Sequence, residues 1–94
     1  MPAKIEIEKI GDFEFRVRII EEGSESKHRV TIKQNDYARL TGGKIGPEEL
    51  LRKSFEFLLE REPKESILSR FDLSVISRYF PEYEREIKRR ISQT

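Results

Sequence analysis

Apolar and charged residues alternate through the first third of the chain. Ile5 and Ile7, then Phe13, Phe15, Val17 and Ile19, are separated by Lys4, Glu6, Glu8, Glu14, Arg16 and Arg18. A period of two is that of a strand with one face buried. A two-residue Gly11-Asp12 turn would pair Ile7 with Arg16 and mix apolar with charged side chains on one face. A three-residue Ile10-Gly11-Asp12 loop instead pairs Ile7 with Phe15 and Ile5 with Val17, with Gly11 in left-handed backbone. A third strand is predicted over Lys27 to Lys33. A Gly23-Ser24 turn then pairs Ile19 with His28, Val17 with Val30 and Phe15 with Ile32. The pattern predicts a three-stranded antiparallel β-meander whose central strand carries the bulkiest inner side chains.

Beyond Asn35 the period lengthens. Asn35 is placed to cap a short helix from Asp36 to Thr41, which Gly42-Gly43 stops. Gly46-Pro47-Glu48-Glu49 starts the main helix, with proline at the first position and carboxylates at the positive end of the dipole, and Pro63 ends it near Arg61. Its apolar positions, Leu50, Leu51, Phe55, Phe57, Leu58 and Leu59 with Ser54 among them, cover about 200° of the wheel, enough to touch two neighbours. These are the sheet and either the C-terminal helices or a second copy of the chain. Pro63, Asp72 and Pro81 divide the remainder into helical pieces over Pro63 to Arg70, Leu73 to Tyr79 and Pro81 to Ile91. The expected fold is α+β, a single domain over residues 1–94, with one sheet face covered by the main helix and the short C-terminal helices.

Composition narrows the function more than the fold. With 94 residues, no Cys, one His, and 19 Lys+Arg against 18 Asp+Glu, the chain excludes disulfides, thiolate metal sites and thiol nucleophiles. A net charge of +1 argues against nucleic-acid binding by bulk electrostatics. No apolar run exceeds three residues, so neither a membrane span nor an apolar leader is expected, and the chain reads as a cytoplasmic protein.

The run Leu59 to Glu84, with its Arg70-Phe71-Asp72-Leu73 and Arg78-Tyr79-Phe80-Pro81 segments, resembles a family of short bacterial proteins of about this length with no assigned activity. The upstream His28-Arg29-Val30-Thr31-Ile32 and Tyr37-Ala38-Arg39-Leu40-Thr41-Gly42-Gly43 fit the same likeness. The resemblance implies bacterial origin and a compact fold; it implies no catalytic residue.

Candidate chemistry is sparse. His28, on the inner face near the end of the sheet, has no nucleophile that can be placed beside it and reads as a partly buried histidine bonded to backbone. One His among scattered Glu does not make a zinc site, and no catalytic residue, metal or cofactor is expected. Thr41 to Pro47 is a glycine-rich loop before a helix, but Glu48 and Glu49 would repel a phosphate there. Ser66 to Arg78 has the length of a helix-turn-helix, yet Pro81 cuts the second helix short and its apolar residues leave little surface for base edges.

Two surfaces remain. On the outer sheet face the expected registers align Lys4, Arg18 and Arg29 in one row with Arg16 beside them, a candidate contact for an anion or nucleic acid. Glu6, Glu8 and Glu14 share that face and no aromatic is there to stack a base. Tyr79 and Tyr83 beside Arg78, together with Phe57 on the wide helix face, form a candidate protein interface, because Tyr and Arg are enriched at interfaces. The expectation is a non-enzymatic interaction or regulatory module with a protein partner or self-association. The alternative is a nucleic-acid-binding domain using the outer row.

Overall fold

The computed structural model describes residues 3–93. Strands β1 (Lys4–Gly11), β2 (Glu14–Glu21) and β3 (Ser24–Thr31) form the antiparallel meander that the alternation predicts. Helices α1 (Gln34–Thr41) and α2 (Pro47–Leu59) follow, then a single 3-10 turn at Lys64–Ser66. A fourth strand, β4 (Arg70–Asp72), precedes α3 (Val75–Tyr79) and α4 (Tyr83–Ser92). The sheet order is β1-β2-β3-β4, with β4 parallel to β3. Parallel neighbours need a crossover connection, and α1 and α2 lie in it, which brings them onto one face of the sheet.

Both expected hairpin registers are corrected by two residues. Ile7 pairs with Val17 and Ile5 with Ile19; Phe15 pairs with Val30 and Val17 with His28. A two-residue slip keeps every side chain on its face, so the inner face is still Ile5, Phe15, Val17, Ile19, His28 and Val30, all buried. The turns explain the shift. Glu22 (φ 49°) and Gly23 (φ 82°) are both left-handed between paired Glu21 and Ser24, a type I′ turn whose twist matches its strands. In the first hairpin Gly11 pairs with Glu14, β1 is irregular between Lys9 and Gly11, and Phe13 takes φ 57°. Phe13 is held there by the Ile32 N–H, which donates to its carbonyl at 2.9 Å, and by a Tyr37 ring 5.9 Å away, edge to face.

The core lies between the sheet's inner face and the helices. Leu50, Leu51, Ser54, Phe55, Phe57 and Leu58 of α2 are buried, and the two neighbours that its wide face predicts are the sheet and α4. Phe55 meets His28 and Phe71 on the sheet side; Phe57 meets Tyr83 and Phe80 on the other. The Ser54 hydroxyl donates to the Leu50 carbonyl at 2.7 Å, so the Tyr83 hydroxyl is the donor in the 2.6 Å contact between Tyr83 and Ser54. Burial pushes the Tyr83 phenol above its ordinary pKa. Arg61 lies 3.6 Å over the Phe57 ring and reaches Glu82 at 3.0 Å, which ties the end of α2 to the start of α4. Arg39 joins Asp36 of its own helix to Glu84 of α4, and within α4 Glu86 and Arg90, four residues apart on one face, pair at 3.0 Å. Among the described residues no helix is long and apolar enough to cross a membrane.

Candidate functional site

The helices pack on one sheet face, and the other carries charged side chains open to solvent. Its rows differ from those expected. Lys4 stands opposite Ile20 and binds Glu6 at 3.2 Å; Arg18 stands between Glu6 and Lys27, paired to Glu6 and, at 3.3 Å, to Glu25. The Lys4, Arg18, Arg29 row is therefore not formed. The row that is formed runs Glu8, Arg16, Arg29, Arg70, one residue per strand. Arg16 binds Glu8 at 2.9 Å and Arg29 reaches Glu14 only at 3.7 Å. Neither Arg70 nor the neighbouring Lys27 has an ion pair among the described residues. Three arginines directly opposite one another repel, and the carboxylates on the face offset that at the β1 side more than at the β4 edge.

Arg70 is the member that sequence reasoning missed. Its strand is three residues long, too short for a period to register, and the segment was expected to be helical up to Arg70. The same strand removes the helix-turn-helix reading, since β4 stands in the middle of that segment, where the first helix would have to end, and Leu73 and Ile76 after it are buried.

The candidate protein interface divides in two. Phe57 and Tyr83 are fully buried between α2 and α4 and offer no surface, because the corner at Pro81 folds α4 back onto the wide face of α2. Arg78 and Tyr79 are exposed, Tyr79 at 66%. Tyr79 lies on the rim of a groove of about 210 Å³ between α3, the end of α2 and the segment leading into β4. Leu58, Ile67, Leu68, Phe71, Val75, Ile76 and Phe80 supply its apolar lining, and Glu62 is its one carboxylate. Among the described residues the large exposed hydrophobic side chains are Leu68 and Tyr79, and both belong to this groove. Burial pushes the Glu62 carboxyl above the usual carboxylate range.

His28 takes the structural role that its setting predicts. Its Nδ1–H donates to the Leu68 carbonyl at 2.7 Å, so Nε2 accepts from the Ser26 hydroxyl at 2.8 Å. Burial holds its pKa below the ordinary value, against the opposing effect of the Leu68 bond. The consequence is positional: His28 pins Leu68, whose side chain is left on the groove. The glycine-rich loop is satisfied internally. The Thr41 hydroxyl donates to the Tyr37 carbonyl at 2.8 Å and accepts the Gly43 N–H at 3.0 Å, and Tyr37 donates to the Ile45 carbonyl at 2.5 Å. Among the described residues no three His, Cys, Asp or Glu side chains converge in a group that could hold a metal ion. In comparisons with known proteins no family model, no curated protein and no solved structure matches the chain.

Proposed function

We propose that the protein is a small non-enzymatic interaction module that docks a protein partner in the groove beside β4. The observation that carries this reading is that the two large hydrophobic side chains left in solvent among the described residues, Leu68 and Tyr79, flank the same apolar groove. Isolated exposed hydrophobics need no explanation, whereas paired ones around a concavity mark a binding site. At about 210 Å³ the groove is smaller than a typical small-molecule site and suits one anchoring side chain of a polypeptide. A photoreactive benzoylphenylalanine in place of Tyr79, in the cells that make the protein, tests it. The expected result is an adduct of one defined mass that disappears with Leu68→Asp. Adducts indistinguishable from those of the same probe at exposed Lys88 would overturn it.

A second reading, a nucleic-acid contact on the outer face, is favoured by the Arg16, Arg29, Arg70 row. It predicts binding of labelled duplex that weakens steeply with salt and is lost in an Arg16→Glu, Arg70→Glu protein. Binding that is indifferent to salt or to the reversals would remove it.

A further inference from the structure

The row and the groove meet at β4, which is an edge strand of the sheet and pairs only with β3 among the described strands. The Arg29 N–H donates to the Ser69 carbonyl at 2.8 Å and the Leu73 N–H to the Thr31 carbonyl at 2.8 Å. By the alternation of a strand, the N–H and C=O groups of Arg70 and Asp72 then point away from β3, along the last edge of the sheet. A strand added there would stand about 4.8 Å from β4. Its side chains level with Arg70 and Asp72 would lie on the outer face, and the one level with Phe71 on the inner face, at the groove.

We infer that β4 is a strand-addition site for an extended acidic peptide, whose large apolar residue enters the groove while an acidic neighbour meets Arg70 on the outer face. The inference rests on the groove being the docking surface. Charge complementarity selects the occupant. Asp72 is already committed, accepting from the Thr31 hydroxyl at 2.7 Å and the Ser74 hydroxyl at 2.6 Å, with Lys33 3.7 Å away. Arg70 has no ion pair among the described residues, and Arg29 and Arg16 continue its row. An acidic side chain on the added strand would extend that row with the opposite charge, the favourable cross-strand arrangement. Glu62 in the groove wall repels acid and so sets the register, admitting the apolar residue and leaving the acidic ones outside. Backbone pairing supplies affinity and the alternate side chains specificity.

A second copy of the chain also carries such an alternation, Ile5-Glu6-Ile7-Glu8 on β1. There, however, Arg52 already donates to the Ile5 carbonyl at 2.9 Å, and a β1-to-β4 contact would be head-to-tail and propagate into a filament. The occupant is therefore a separate peptide segment.

The test is an amide chemical-shift titration of the labelled protein with the peptide Glu-Val-Glu-Tyr-Glu-Val. Its controls are a version with every Glu replaced by Lys and a version that keeps every side chain but is N-methylated at Tyr and at the Glu that follows it, which blocks pairing in either strand direction. Saturable shifts at Leu68, Arg70, Phe71, Asp72 and Tyr79 are expected with the acidic peptide, weakened about five- to tenfold with the Lys peptide and at least about tenfold by the N-methyl groups. If the Lys or N-methylated peptide binds the groove as well as the acidic one, strand addition fails while the groove stands as a docking surface. If no peptide shifts a groove residue, the proposed function fails with it. Concentration-dependent self-association in sedimentation, abolished by Arg70→Glu, would give the edge to a second copy and overturn the separate peptide.

Discussion

Glu22 shows how much a single backbone angle decides. It is exposed, at φ 49°, ahead of Gly23 in a type I′ turn where Asn-Gly is the favoured pair. Left-handed backbone costs an ordinary residue about 1–2 kcal/mol, and asparagine relieves part of that. Glu22→Asn is expected to stabilise the protein by about 0.5–1 kcal/mol in urea unfolding, and Glu22→Val to destabilise it. The same dipeptide accounts for the register. Setting Gly23 in the first turn position rather than the second moves the pairing by two residues without changing any face, so the alternation that reveals the sheet is blind to the difference. His28 is the second residue whose surroundings set a measurable property. Burial lowers its pKa, so the unfolded chain takes up the proton first. Its contribution to stability is full above the unfolded value of about 6.5 and is lost as pH falls through the folded value. A ring-proton titration of this lone histidine should give a midpoint below 6.5, and a midpoint at or above it would contradict the packing described.

At the scale of elements, α2 was legible because its start, its stop and its wide apolar face are all local signals. Its boundaries, Pro47–Leu59, fall within two residues of those the proline, the acidic first turn and Pro63 predict. The division of its partners was not legible. Phe57 and Tyr83 read as interface residues until the chain's return at Pro81 sets α4 on α2, a contact between distant segments that no period encodes. The structure separates the aromatics by consequence. Phe57→Ala should cost about 3–5 kcal/mol, Tyr83→Phe about 1 kcal/mol for its hydrogen bond to Ser54, and Tyr79→Ala less than about 0.5 kcal/mol. Comparable losses for Tyr79 and Phe57 in denaturant titrations would contradict the assignment. β4 was illegible for a different reason: three residues carry no pattern, and their parallel partner lies 41 residues upstream at the Arg29 to Arg70 pair. Its energetics are nonetheless testable. Arg70→Glu turns a like-charge neighbour of Arg29 into an opposite one and should raise stability by about 0.2–1 kcal/mol, with the gain shrinking as salt is added.

For the whole molecule, the sheet divides the work. One face holds the core, and the other, with the β4 edge, presents an arginine row that ends at Arg70, which has no ion pair among the described residues, beside an apolar groove. The outer face was readable as cationic from Arg16, Arg18 and Arg29, but its direction depended on the hairpin registers, and its end, Arg70, depended on a strand that only the folded chain reveals. Of the groove only Tyr79 was singled out from the sequence; Leu68 looks like any core leucine until the folded chain bonds its carbonyl to His28 and leaves its side chain exposed. The most direct measurement is a charge swap across this edge. Affinities of wild-type and Arg70→Glu protein are measured for Glu-Val-Glu-Tyr-Glu-Val and for the same peptide with Lys in place of Glu. A reversal of preference is predicted, the wild type favouring the acidic peptide and the variant the basic one, each by about fivefold or more. The same order of preference in both proteins would contradict the claim that Arg70 and the groove together select the partner.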